Sequence, residues 1–112
     1  MRKIPYSIRQ GDVLLVEANY RGGIPKNAKL INENNEDVIL AHGEATGHAH
    51  RIDKNVQAKY LDYQAERYLQ VVCEAPLTHE EHSMIPILPK KYGYQQLFQV
   101  EDFGKEIKRV ID

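Results

Sequence analysis

The apolar runs of this chain are short, and a turn former closes almost every one. Val13-Leu14-Leu15-Val16 follows Gly11-Asp12, and Tyr68-Leu69-Gln70-Val71-Val72-Cys73 runs into Ala75-Pro76. Asn32-Glu33-Asn34-Asn35-Glu36-Asp37 separates Leu30-Ile31 from Val38-Ile39-Leu40 and reads as a hairpin-type turn. Arg21-Gly22-Gly23-Ile24-Pro25 is a loop by composition. Ile85-Pro86-Ile87-Leu88-Pro89 fits only an edge strand or a strand start, because each proline removes a ladder donor. Further strands are expected at His48 to Ile52, at Tyr94 to Val100 and, after a Phe103-Gly104-Lys105 turn, at Ile107 to Ile111. The segment Asp53 to Arg67 fits both periods, and its strand-like flanks favour a β-hairpin. The pattern predicts a mainly β fold, a compact barrel or sandwich with at most one or two short helical turns.

A length of 112 residues supports one core and one domain, residues 1–112. No apolar stretch approaches the roughly 18 to 20 residues of a membrane span, and Met1 to Gln10 carries no readable signal peptide. The single cysteine, Cys73, has no internal partner, so a reducing cytoplasm is the expected setting. In its apolar run Cys73 reads as a buried small hydrophobe rather than a nucleophile. A net charge of −1 argues against a bulk nucleic-acid coat but leaves room for one small anionic ligand. The seven tyrosines read as partial core more than as stacking platforms.

Chemistry concentrates in the histidines. The five lie at His42, His48, His50, His79 and His82, within the segments His42-Gly43-Glu44-Ala45-Thr46-Gly47-His48-Ala49-His50 and Thr78-His79-Glu80-Glu81-His82. On a strand His48 and His50 share a face, roughly 6.6 Å apart. Gly43 and Gly47 let the preceding loop adopt unusual angles or approach a ligand closely. Thr78-x-x-Glu81 matches a capping box after a strand ended by Pro76, which predicts one helical turn with His79 and His82 on one face near its N-terminus. The dipole there favours neutral imidazole, while Glu80 and Glu81 pull the other way.

Three readings follow. The histidines are hydrogen-bonded loop residues; or they form a cupin-like metal or small-ligand site, His-x-His plus a distant His or a carboxylate from Glu44 or Glu81; or two imidazoles act as general acid and base without metal or other cofactor. Phosphodiester cleavage beside a 2′-hydroxyl suits the third, since the substrate carries its own nucleophile and the protein positions it and moves protons. Such a rate follows a bell in pH with both limbs near ordinary imidazole values. No nucleophile elbow, P-loop or dinucleotide fingerprint competes. Lys90-Lys91 is either a solvated turn or a phosphate holder, and Arg51, next to the pair, is a further candidate for phosphate contact.

The strings Gly11-Asp12-Val13-Leu14-Leu15-Val16, GEATGHAHRI from Gly43 to Ile52, LTHEEH from Leu77 to His82 and Pro86-Ile87-Leu88-Pro89 together resemble a family of short bacterial proteins of mobile elements and type III CRISPR loci. The chain is similar there to histidine-dependent ring nucleases, which open cyclic oligoadenylate messengers. The resemblance spans Gln10 to Asp112. Lys54 to Arg67 has no counterpart in it, and the turn Lys90-Lys91-Tyr92-Gly93 matches only loosely. It implies a metal-independent phosphodiesterase with catalytic histidines among His48, His50, His79 and His82. Glu44, Thr46, Gly47, Arg51, Lys90 and Lys91 are the expected ligand contacts. A ring with rotational symmetry also suggests a homodimer, with no membrane and no bulk nucleic acid as partner.

Overall fold

In the computed structural model, residues 6–18, 26–33, 36–42, 47–91 and 93–103 are described, and they form antiparallel β structure with no helical element among them. The strands are β1 (Ser7–Gln10), β2 (Val13–Ala18), β3 (Lys29–Leu30), β4 (Val38–His42), β5 (Ala49–Ile52), β6 (Ala58–Tyr63), β7 (Glu66–Val71), β8 (Ala75–Leu77), β9 (Ile85–Ile87) and β10 (Gln96–Asp102).

Gln10 pairs with Val13 across the two-residue turn Gly11-Asp12, where Gly11 holds φ at 56°, a left-handed angle that glycine adopts without a Cβ clash. The β6–β7 hairpin turns at Gln64-Ala65. It confirms the hairpin expected within Asp53 to Arg67. These two hairpins, β10 and β3 make a six-stranded sheet in the order β1-β2-β10-β7-β6-β3. Strict alternation along β10 sends Gln96, Phe98 and Val100 inward.

The remaining strands form two hairpins, β4–β5 and β8–β9. An antiparallel bridge between Arg51 and Thr78 joins them edge to edge, with both N–H···O bonds at 2.9 Å. Val38, Leu40, Ala41, Ile52, Ala75, Leu77 and Ile87 from these hairpins share one core with Val13, Leu15, Tyr60, Leu69, Val71, Phe98 and Val100 of the large sheet. The expected mainly β fold is present as several antiparallel sheets around one core, and among the described residues none of the sheets closes into a barrel.

Local details depart from the sequence reading. Asn32–Asp37 does not join a hairpin: β3 pairs with β6, and β4 with β5. The Asn32 carboxamide instead extends β3 along β6, donating to Ala58 O at 3.1 Å and accepting from Tyr60 N at 2.8 Å. Pro76 does not end a strand but lies inside β8, directly opposite Pro86. Two residues without N–H can face each other only at a position where the ladder exchanges no bonds. The predicted helical turn at Thr78 is absent, because Thr78 spends its N–H and C=O on the bridge to Arg51 and its hydroxyl donates to Arg51 O. Cys73 is half-buried at a bend rather than buried. The strand expected from Tyr94 begins at Gln96, and Tyr94 is exposed beneath the Lys91 ammonium. Tyr60 and Tyr68 are core residues as expected. The Arg21–Pro25 loop and residues 104–112 lie outside the described residues. Among the described residues, no helix is long and apolar enough to cross a membrane.

Candidate active site

His50 sits in β5, whose neighbours Ala49 and Ile52 anchor it in the core, and it is itself buried. Its partner β4 carries an irregularity between Ile39 and Ala41, so that Leu40 and Ala41 both face inward beside it. The loop from Thr78 to Met84, between β8 and β9, folds back over β5 and brings His79 and His82 to His50. Ring centroids are 4.3 Å apart for His50–His79, 4.7 Å for His79–His82 and 5.8 Å for His50–His82. His48, just before β5, meets the His79 ring edge-on at 5.9 Å. All four predicted catalytic histidines therefore converge.

The ring nitrogens are not equivalent. Gln10 Oε1 lies 2.8 Å from His50 Nδ1, while Gln10 Nε2 donates to Leu77 O at 2.9 Å and Ser83 O at 3.0 Å. His79 Nδ1 accepts the Glu81 N–H at 3.0 Å, which leaves the proton of the neutral ring on Nε2. His48 Nδ1 faces the Glu81 carboxylate at 3.3 Å. Burial pushes the His50 pKa down to about 4, helped by the charges of His79 and His82 and opposed by Asp102 and Asp12. His50 is a neutral base at physiological pH. The acidic limb of any rate it controls therefore moves from the ordinary imidazole range to near pH 4.

The loop is held from both sides. Glu80 Oε1 accepts the Ala49 N–H at 2.9 Å and sits 3.6 Å from Arg51 Nη2. The Ala49 N–H and the Arg51 guanidinium, opposed by partial desolvation, hold the Glu80 carboxyl below its usual range. Gly11 forms the floor under His82: a Cβ at position 11 would stand 2.6 Å from His82 Nε2.

The other predicted contacts fare unevenly. Arg51 braces the loop through Glu80 and donates to Gly47 O at 3.2 Å, so its guanidinium serves the site as a strut. Lys90 pairs with Glu17 at 2.7 Å and Lys91 covers the Tyr94 ring at 4.4 Å; the contacts of both lie with β2 and Tyr94, not with the histidines. Glu44 and Thr46 lie outside the described residues. His42 is exposed at the end of β4. Among the described residues, no group of three His, Cys, Asp or Glu side chains is placed to hold a metal ion. A separate cavity of about 330 Å³, lined by Asn32, Lys54, Gln57, Lys59, Gln70 and neighbours, shares no residue with the cluster.

The sequence reading missed Gln10. Its signal was present: Gln10 faces Val13 across a tight hairpin, and a polar residue on the inward register of such a pair must find partners inside.

Residues 9–95 match a family model described as a domain of unknown function, DUF8820. The chain belongs to the DUF8820 family. The DUF8820 match takes in Gln10, Gly11 and all four clustered histidines and ends just before β10. No curated protein and no solved structure matches the chain.

Proposed function

We propose that this DUF8820 protein is a metal-independent phosphodiesterase that opens cyclic oligoadenylate rings, as its resemblance to the histidine-dependent ring nucleases suggests. One observation supports the chemistry above all others: imidazoles from two distant segments meet with their nitrogens already differentiated, His50 as a buried neutral acceptor and His79 as an Nε2–H donor. The 2′-hydroxyl of an adenosine attacks its own adjacent phosphorus while His50 Nε2 takes the hydroxyl proton. The bond from phosphorus to the 5′-oxygen breaks, and that oxygen takes a proton from protonated His82. His82 is exposed, so solvent reaches its ring. His79 Nε2–H faces the charge that builds on the phosphoryl oxygens. The products are a 2′,3′-cyclic phosphate and a 5′-hydroxyl. Turnover of this kind would switch off the effectors that the messengers activate.

The test is incubation of the purified protein with cyclic tetra- and hexa-adenylate, with products read by mass spectrometry. Ring opening to the cyclic phosphate is expected, unchanged by chelator. His50→Ala and His82→Ala each lower the rate by about 10²- to 10⁴-fold. Absence of turnover by the wild type, or full turnover by both variants, overturns the reading.

A further inference from the structure

We propose that Gln10 is the positioning residue of this cluster: its carboxamide holds the proton of His50 on Nδ1, keeps the Nε2 lone pair as the ring's one acceptor, and pins both ends of the histidine loop. The functional half of the proposal rests on His50 being the base; the tautomer and the pinning stand on geometry alone.

The proton inventory leaves one arrangement. Leu77 O and Ser83 O accept hydrogen bonds and donate none, and both lie within 3.0 Å of the same end of the Gln10 side chain. That end is therefore the NH₂ group, and both of its hydrogens are used. The opposite end is the carbonyl oxygen, which carries no proton. At 2.8 Å from it, His50 Nδ1 must supply the hydrogen. A flipped amide would set an oxygen against two carbonyl oxygens. Gln10 is 2% exposed, so water does not compete for these groups.

The same NH₂ group reaches Leu77, the last residue of β8, and Ser83, beyond His82. One side chain thus clamps the two ends of the segment that carries His79 and His82. Gln10 acts through His50 and through the loop and needs no contact with substrate. Glutamate cannot take its place. It has no donor for the two carbonyls, and its carboxylate beside Nδ1 would favour imidazolium over the neutral base. The charged or titratable groups already facing His50 are His79 and His82 from the loop, Asp12 from the β1–β2 turn and Asp102 from β10.

The decisive measurement is a long-range ¹H–¹⁵N correlation of the imidazoles in uniformly ¹⁵N-labelled wild-type protein near pH 7. The expected result is His50 with a protonated, pyrrole-type Nδ1 and an unprotonated, pyridine-type Nε2. A His50 ring protonated on Nε2, or averaging between tautomers, overturns the proposal. Gln10→Leu should lose the Nδ1–H signature. Gln10→Glu should retain it while raising the pH at which His50 titrates. In ring opening, both variants should lower kcat by about 10-fold or more with KM little changed, and Gln10→Glu should also shift the acidic limb upward. If the variants do not fold, the wild-type spectrum still decides. An Nδ1–H His50 in a protein that opens no cyclic oligoadenylate would overturn the function and leave the positioning role standing.

Discussion

His50 is a histidine folded into an environment that suits only its neutral form. Its pKa of about 4 in the folded protein lies below the 6.5 of a free side chain. Between those values the unfolded chain binds a proton that the folded chain refuses, so protonation favours unfolding. The His50 contribution is therefore complete above pH 6.5 and is lost as pH falls from 6.5 through 4. After screening it amounts to on the order of 2 kcal/mol. Scanning calorimetry from pH 7 to 4 should show the wild-type melting temperature falling more steeply than that of His50→Gln, which has no proton to gain. Parallel curves would contradict the burial argument. Carboxylates such as Glu80, whose pKa is lowered, lose their contribution only as pH drops below the usual carboxylate value, and they do so in both proteins.

Among the elements, the β6–β7 hairpin carries a visible strain. Gln64 and Ala65 hold φ at 51° and 65°, the left-handed region that a two-residue turn demands and that side chains with a Cβ resist. Asn and Gly adopt those angles far more readily. Replacing Gln64-Ala65 by Asn-Gly should stabilise the protein by about 1–2 kcal/mol and raise the melting temperature by several degrees. An unchanged or lower midpoint in thermal denaturation would show that the turn is not under strain. The opposite economy is seen in β8–β9, where Pro76 and Pro86 face each other and neither ladder donor is missed. One pair further on, Leu77 opposite Ile85, the hairpin opens into the histidine loop.

On the scale of the whole molecule, two hairpins are stitched by the Arg51–Thr78 bridge and laid on a six-stranded sheet around one core. The site lies where three parts meet: the β1–β2 turn, β5 and the β8–β9 loop. A cyclic substrate with rotational symmetry would be gripped best by two such sites related by a two-fold axis, so the protein is expected to work as a homodimer. Met84, Leu88 and Tyr94 are large apolar side chains left exposed on the chain. Light scattering at tens of micromolar should return twice the 12.9 kDa chain mass; a single-chain mass would remove the dimer from the proposal.

Much of this was legible in one dimension because it is local chemistry. The turn formers between short apolar runs dictate antiparallel strands, and all five histidines fall in two short segments whatever surrounds them; that Gly11-Asp12 closes a hairpin with Ser7–Gln10 was visible only in the structure. The capping box at Thr78 is equally local, yet it fails, because a neighbouring strand offered Thr78 two backbone bonds that outcompete a single helical turn. What made a site of the histidines is long-range. Gln10 and His50 are 40 residues apart, and Gln10 and Leu77 are 67 apart. The burial that keeps His50 neutral and the bond that chooses its proton come from partners that chain order does not place beside it. Hydrogen bonds and desolvation act across a few ångströms of space, so the tertiary structure alone decided which histidines meet, which nitrogen of His50 and of His79 is engaged, and that Arg51 braces the loop while Lys90 and Lys91 turn elsewhere.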